Sequence, residues 1–473
     1  MSQLPIAVDL DGSLVRTDTL HELALALLRT RPLDVLLLPF WLARGKAHLK
    51  HAIASRVGFD AATLPYNEPL LAWLKQQKSA GRRLVLCTGA DGLVAHAVAH
   101  HLGIFDQVLV SADGINLAGS NKRRALEREF GPRGFDYVGN ADIDLDVWGA
   151  AHAAVVVSPS ASLAARASQV SEVLAVFREP LRLRTVGKAL RVHQWIKNLL
   201  LFVPLIAAHQ LGDPALLAAA LVAFVSFSLC ASGVYVANDL MDLESDRAHP
   251  RKRHRPFASG ALPIASGMVL APALMLAGFS LAVWLGADFA AWLAAYLALT
   301  AAYSARLKRL LLVDCVVLAL LYTLRVVAGA AATGIELSFW LLAFAVFLFF
   351  SLAFVKRYVE LRTLCDRREA TIRGRGYIAQ DVAIVQAIGI ASGYAAVVIL
   401  SLYLQGDTVR ALYRRPEAMW GAVLLMLFWI SWVWMKASRG EVDDDPVVFA
   451  AKDLTSLLVG LGIVACFVAA KLA

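Results

Sequence analysis

Asn238-Asp239-Leu240-Met241-Asp242-Leu243-Glu244-Ser245-Asp246 closes a run of residues apolar enough to cross a bilayer. Successive helical residues turn by about 100°, so Asp239, Asp242 and Asp246, at i, i+3 and i+7, are expected on one helix face. Three carboxylates at a membrane boundary repel one another and are costly to desolvate unless a cation balances them. Mg²⁺ does this by bridging carboxylates to the phosphates of a substrate. Arg247, Arg251, Lys252, Arg253 and Arg255 follow as counter-charge for phosphate oxygens. A solvated acidic helix end before a basic loop is the plainer alternative, but it leaves the acidic spacing without a reason. The stretch reads as a diphosphate–Mg²⁺ site, with Asn238, Asp239, Asp242 and Asp246 for the metal and Arg247, Arg253 and Arg255 for phosphate.

The chain divides around that stretch. Hydrophobic residues make up 59% of the 473 and charged residues 18%, and the mean hydropathy is +0.61, a membrane-protein composition. Residues 1–180 read as a soluble α/β domain, and everything after about 195 as a series of long apolar runs. The net charge of +9 lies largely in loops between those runs. It speaks for membrane topology and against a nucleic-acid partner. Cys87, Cys230, Cys315, Cys365 and Cys466 show no metal-type spacing and imply no disulfide framework. Met1-Ser2-Gln3-Leu4-Pro5 lacks the basic start of a secretory signal, so the first domain is expected to stay in the cytoplasm.

Nine apolar segments are expected as spans, at about 196–210, 214–238, 264–285, 288–304, 310–331, 338–355, 379–405, 417–435 and 448–470. A bilayer core takes ~20 helical residues, so the first is short unless it begins near Val192. Loops 239–262, 305–309, 356–376 and 436–447 carry seventeen Lys and Arg, against four in the opposite loops and tail. The positive-inside rule places the first set in the cytoplasm. Nine spans of a cytoplasmic (inner) membrane then leave the N-terminal domain inside and the C-terminus outside. Phe177 to Lys188 is a basic linker or surface helix for the anionic inner leaflet. The expected domains are 1–178, a basic segment 179–194, and a membrane domain 195–473.

Ile6-Ala7-Val8-Asp9-Leu10-Asp11-Gly12-Ser13-Leu14 is a short buried strand ending in D-x-D-G. Carboxylates at the C-terminal end of a parallel strand stand where α/β folds bind ligands. One can attack phosphorus while the other protonates the leaving oxygen and Mg²⁺ screens both. A plain Asp/Gly turn gives the same text. A second buried strand runs from Arg83 to Thr88-Gly89, a helical run from Lys122 to Phe130, and a third strand from Phe135 to a polar tip at Asn140-Ala141-Asp142-Ile143-Asp144.

In that order, these elements resemble the haloacid dehalogenase-like (HAD) phosphatase superfamily over about residues 1–170. The resemblance implies Asp9 as nucleophile, Asp11 as acid/base, Thr88 and Lys122 as phosphate binders, and Asn140 with Asp144 around Mg²⁺. Residues 18–75 would form a helical cap, in which Val35 to Leu42 either packs in the cap core or touches lipid. The family's usual Asp after the glycine is Asn140 here, which lowers the charge available to a metal. A HAD-like scaffold that only docks or regulates is the alternative.

The membrane half resembles the UbiA superfamily of intramembrane prenyltransferases over about residues 185–473, through N-D-x-x-D-x-x-x-D and its basic loop. The wider text from Asn238 to Gly260 is similar to the branch that includes decaprenyl-phosphate phosphoribosyltransferase. That resemblance implies Mg²⁺-dependent transfer of 5-phosphoribose from phosphoribosyl pyrophosphate (PRPP) to a polyprenyl phosphate. The fused phosphatase would then remove the 5-phosphate, giving a ribose or arabinose donor precursor for cell-envelope glycans. An aromatic prenyltransferase using a polyprenyl diphosphate is the alternative.

Further site residues are drawn from the later segments. Arg191 to Asn198 resembles the family's entry motif, which marks Lys197 and Asn198, although Trp195 between cations is also ordinary interfacial anchoring. Tyr303, Lys308 and Asp314 stand where aromatic prenyltransferases usually carry a second Asp-rich motif, and the single Asp314 favours PRPP. Arg325, three turns after Asp314, is expected either to pair with it or to form a second metal/phosphate edge. Lys356 and Glu360, at i and i+4, can make a solvated interface pair; the resemblance implies instead that Lys356 and Arg357 face the phosphates. Arg362 to Arg375 reads as an ordinary basic loop, and Asp443-Asp444-Asp445-Pro446 as a turn and helix cap without chemistry.

Overall fold

The computed structural model describes residues 4–111, 116–158, 160–178, 182–367, 375–406, 413–442 and 445–472. The chain forms two compact units. One comprises Met1–Val192 with Ser232–Ala273, the other His193–Ala231 with Leu274–Ala473.

The first unit is built on a parallel six-stranded sheet. Its strands are β1 (Ile6–Val8), β2 (Leu84–Cys87), β3 (Gln107–Leu109), β4 (Asp136–Gly139), β5 (Ala153–Val157) and β6 (Glu172–Phe177), in the order β3-β2-β1-β4-β5-β6. Side chains alternate across a strand, and both faces of this sheet are covered. Ile6, Val8, Leu84, Leu86 and Val138 pack with Leu23, Leu27, Ile53 and Leu70 of the segment between β1 and β2. Ala7, Cys87, Tyr137 and Val156 pack on the other face with Leu126, Trp148 and Leu163. The three strands expected from sequence are present, and so is a helix over Ser120–Phe130.

The segment between β1 and β2 is helical, with helices Thr19–Thr30, Lys46–Ala54 and Glu68–Ser79. Asp18 caps the first of these by accepting the Leu20 and His21 N–H groups at 2.8 and 3.4 Å. The apolar stretch 35–42 divides between the two expectations. Val35, Leu38 and Trp41 join the core, whereas Leu36, Phe40 and Leu42 are exposed.

The same unit holds the Asp-rich stretch. Leu240, Leu243, Phe257, Leu262 and Ile264 pack with Ala189 and with Leu25 of the helix Thr19–Thr30. Of the segment expected as a basic linker or surface helix, Leu183–Ala189 is helical, while 179–181 lie outside the described residues.

Among the described residues, seven helices are long and apolar enough to cross a membrane: Pro214–Met241, Ile264–Leu285, Val313–Thr333, Phe339–Cys365, Ala379–Gln405, Pro416–Ser438 and Leu454–Lys471. Two of the nine expected segments fall short of that standard. Val192–Phe202 is a 3-10 stretch followed by the short helix Val203–Ala207, together shorter than the ~17–25 residues of a spanning α-helix. Ala287–Ala305 is helical over 19 residues, but Asp288 and its tyrosines dilute its hydropathy. In the second unit, Gly329 lets the helix Val313–Thr333 approach the backbone of the 3-10 stretch. A Cβ there would lie 2.1 Å from the Leu201 carbonyl oxygen.

Candidate functional sites

Asp9 follows β1 and Asn140 follows β4, at the point where the sheet order runs outward in both directions and parallel sheets open a crevice. Lys122 Nζ lies 2.8 Å from Asp9 Oδ1 and donates to Tyr137 Oη at 2.8 Å. Tyr137 in turn donates to Asp144 Oδ1 at 2.9 Å. Burial works against the Lys122 charge, but Asp9 and Asp144 outweigh it and raise the ammonium's pKa.

Asp11 accepts the Thr19 N–H at 2.8 Å. Burial first, then the neighbouring Asp18, push its carboxyl up to about 7. Ser13 donates to Asn140 Oδ1 at 3.3 Å. Gly12, at φ +73°, passes under the Asn140 amide so closely that a Cβ would meet Nδ2 at 2.2 Å. Thr88 is buried, with its hydroxyl accepting the Ala90 N–H at 3.0 Å.

Asp144 departs from the metal role expected of it. Its Oδ2 accepts the N–H groups of Asn140 and Ala141 at 2.9 and 3.0 Å, and Oδ1 takes Tyr137. That carboxylate is spent on shaping the turn. The oxygens left for a metal come from Asp9, Asp11 and the Asn140 amide.

The Asp-rich stretch also differs from its expected geometry. The long helix ends at Met241, and Asp242 lies in the turn before Leu243–Ala248, exposed to solvent. The face expected to carry three carboxylates therefore breaks. Asp239 and Asp246, both buried, converge on Arg255, whose Nη1 is 3.1 Å from Asp239 Oδ1 and 2.7 Å from Asp246 Oδ2. Arg191 pairs with the same Asp239 oxygen, Oδ1, and stacks on Tyr235 at 4.8 Å. Burial still holds the Asp246 carboxyl above its ordinary range despite Arg255, so the site can accept more positive charge.

Asn238 is half-buried beside this pair. Arg247 is committed elsewhere. It donates to Glu22 at 3.1 and 2.6 Å and to the Ala258 carbonyl at 2.9 Å. Arg253 is exposed and, among the described residues, its side chain reaches its neighbour His254 at 3.4 Å.

Among the described residues, no group of three or more His, Cys, Asp or Glu side chains is placed to hold a metal ion. Mg²⁺ needs fewer, because it is held by one or two carboxylates together with substrate phosphates and water. The Asp239–Asp246 pair fits that demand, with Arg191 and Arg255 as the counter-charge in this structure.

The second unit gathers two buried clusters. In one, Asp314 is fully buried. Its carboxylate meets Tyr377 Oη at 2.7 Å, Arg357 Nη2 at 2.7 Å and Arg375 Nη1 at 3.2 Å. Arg375 also donates to Tyr303 Oη at 3.2 Å, and Glu360 pairs with both arginines.

In the other cluster, Lys197 pairs with Asp445 beneath the Tyr322 ring. Asn198 donates to Ser228 Oγ at 2.9 Å and accepts from Arg325 Nε at 3.0 Å. Arg325 further donates to Tyr296 Oη at 2.9 Å and stacks on its ring at 4.8 Å. The Asp445 pKa is lowered; burial opposes this, and Lys197 and Lys356 overcome it.

Asp314 and Arg325 therefore do not pair. Eleven helical residues separate them by ~16 Å, and each has found partners on other elements. Lys308 is half-buried outside both clusters. Asp445 does cap Pro446–Ala450, as expected, by accepting the Val447 and Val448 N–H groups. Its ion pair with Lys197 is additional. Asp443 and Asp444 lie outside the described residues, as do 368–374 of the basic loop. Sequence reasoning passed over Glu22, Tyr137, Arg191, Arg375, Tyr377 and Asp445. The signal available was charge itself, since each buried ion singled out requires a counter-ion.

The UbiA prenyltransferase family model matches residues 199–458. The chain belongs to that family. The uncharacterized protein y4nM of Sinorhizobium fredii is 37% identical over 99% of this chain and 91% of its own length. The decaprenyl-phosphate phosphoribosyltransferase of Mycolicibacterium smegmatis is 42% identical over 190 residues, 39% of this chain and 59% of that enzyme. A UbiA homologue from Archaeoglobus fulgidus, solved with GPP and Mg²⁺, covers 60% of this chain and 98% of its own at 15% identity and a TM-score of 0.47. The chain is thus a multi-pass membrane transferase of the UbiA family carrying an N-terminal α/β domain on a parallel sheet.

Proposed function

We propose that the membrane domain transfers 5-phosphoribose from PRPP to a polyprenyl phosphate at the cytoplasmic face of the inner membrane. The observation that carries this reading is the buried Asp239–Asp246 pair bound to the partly exposed Arg255 and Arg191. Mg²⁺ held by Asp239 and Asp246 would neutralise charge building on the departing pyrophosphate. The two arginines, relieved of the carboxylates, are then free to take phosphate oxygens. The acceptor phosphate is already an anion. Its oxygen attacks ribose C1 as the C1–pyrophosphate bond breaks, and no strong general base is required.

Lys197 and Lys356, which share Asp445, are the second unit's candidates for an anionic substrate group. Asp314 supports PRPP over a prenyl diphosphate. With Tyr377, Arg357 and Arg375 on its carboxylate, it leaves no second acidic metal site of the aromatic-prenyltransferase kind among the described residues of that region. The relatives named decaprenyl-phosphate phosphoribosyltransferase point the same way. The excess of Lys and Arg in loops 239–262, 305–309, 356–376 and 436–447 supports a cytoplasmic N-terminal domain with Val192–Ala207 and Ala287–Ala305 counted as crossings, and nine crossings would put the C-terminus outside.

The N-terminal domain, spanning about 1–178, is proposed as a HAD-like phosphatase that removes the 5-phosphate to give polyprenyl-phosphoryl ribose. Asp9 would attack phosphorus, and Asp11, near half-protonated at neutral pH, would protonate the departing ribose O5. Asp11 would then accept a proton from the water that hydrolyses the aspartyl phosphate. A second metal, on Asp9 and Asn140, would screen these charges. Tethering two sites by a short linker raises their effective concentration to roughly millimolar.

Purified protein incubated with Mg²⁺, PRPP and a polyprenyl phosphate, followed by mass spectrometry of the lipids, tests both steps. A ribose adduct from wild type and a phosphoribose adduct from Asp9→Asn are expected. An unmodified acceptor lipid would refute the transferase, and a dephosphorylated product from Asp9→Asn would refute the phosphatase assignment.

A further inference from the structure

We propose that Pro32–Ala43 of the N-terminal domain is a monotopic membrane anchor that lays its outer face into the anionic headgroup–acyl boundary of the bilayer. The segment is a 3-10 stretch, Pro32–Leu37, running into the short helix Leu38–Ala43. It is apolar on both sides. Val35, Leu38 and Trp41 face inward to the core, with Arg56 stacked on the Trp41 ring at 4.6 Å. Leu33, Leu36 and Phe40, at i, i+3 and i+7, face outward at 79, 72 and 70% exposure, with Leu37 and Leu42 beside them. The inner face fixes the segment to the domain, so the outer face is held out rather than left loose. A patch of this kind marks a surface with a partner.

Two observations identify the partner as lipid, and the proposed function of the domain agrees with them. The helix before the segment, Thr19–Thr30, is clamped near the end of a membrane-spanning helix. Arg29, in its last turn, pairs with Glu244, and Glu22 pairs with Arg247, while the spanning helix ends at Met241. The chain leaving Arg29 thus starts within a few residues of the bilayer boundary. The apolar face is also bracketed by exposed cations, Arg31 before it and Arg44 and Lys46 after it, with Asp34 as the one acid between them. Apolar side chains flanked by exposed Arg and Lys are the composition of an interfacial anchor on an anionic leaflet. Finally, on the proposed phosphatase reading of the same domain, docking would hold its site at the height of a lipid headgroup.

Spin labels at Leu36→Cys and Phe40→Cys, in a Cys365→Ser/Cys466→Ser background of the full chain, test this in liposomes containing phosphatidylglycerol. Arg128→Cys, exposed on the helix Ser120–Phe130, serves as the reference. The proposal expects positions 36 and 40 to gain collisions with oxygen and to lose collisions with a water-soluble nickel chelate, relative to 128. A water-like profile at both positions overturns it. Protection from oxygen and nickel together also overturns it, because a protein surface would then be the cover. Neither label touches a transferase or phosphatase residue, so this result is independent of the lipid-product assay.

Discussion

The Asp239–Asp246 cluster and the Asp314 cluster use the same chemistry, carboxylates met by arginines, in opposite ways. Asp239 and Asp246 belong to one short stretch and meet arginines that keep about a quarter of their side-chain surface exposed, Arg191 at 23% and Arg255 at 28%. Asp314 meets Arg357 with both side chains at 0%, and Tyr377 closes its other oxygen. A substrate phosphate can compete for a guanidinium that water already reaches. It cannot compete for one sealed within packed helices, where breaking the pair strands a charge. The first cluster is therefore exchangeable and suited to turnover, and the second is a fixed brace.

Removing one partner of the brace should have the largest effect. Arg357→Met should destabilise the membrane domain by about 3–5 kcal/mol, read as a lower thermal midpoint in detergent, with or without Mg²⁺ and PRPP. A midpoint equal to wild type would move Asp314 into the exchangeable class. Asp239→Asn and Asp246→Asn should instead leave that midpoint near wild type while lowering phosphoribosyl transfer by about 10²–10³-fold, the scale of losing a preorganised charge at the transition state. Arg255→Lys keeps the charge but replaces the rigid planar guanidinium, whose Nη1 meets both carboxylates, with a flexible ammonium. It should lower transfer by roughly 10-fold, between wild type and the Asp variants. Loss of transfer as complete as in Asp239→Asn would give Arg255 more than phosphate binding.

A smaller effect sharpens the reading of the N-terminal site. Asp11 is raised to about 7 in the folded protein. The folded state therefore holds a proton there that the unfolded chain releases at the ordinary carboxylate value. Stability from this group is full at low pH and is lost as pH rises toward about 7. In EDTA, Asp11→Asn should gain thermal stability relative to wild type between pH 5 and pH 7.5. A pH-independent difference would mean that Asp11 is ionised throughout.

What was legible in the sequence followed the range of the interactions. The strands Ile6–Val8, Leu84–Cys87 and Asp136–Gly139 could be placed because their apolar runs and polar tips are local signals. The acidic stretch stood out for the same reason, and its Asp239 and Asp246 do converge, although the turn at Asp242 hid the loss of one carboxylate from the face. Counter-ions were not legible. Arg375 and Tyr377 lie more than sixty residues from Asp314, and Asp445 lies 248 from Lys197. No periodicity links such positions, so Asp445 could be read only as a cap and Arg375 only as loop. Arg247 shows the converse. It sits in the basic loop beside the acidic stretch, yet its guanidinium turns to Glu22, 225 residues earlier.

The most direct test of the central claim is calorimetric titration of PRPP into the nanodisc-embedded protein, with and without Mg²⁺, for wild type, Asp239→Asn and Asp246→Asn. Mg²⁺-dependent binding by wild type and its loss in both variants is the predicted result. Equal PRPP binding by all three proteins, or binding indifferent to Mg²⁺, would contradict the assignment of the Asp239–Asp246 pair as the metal–pyrophosphate site.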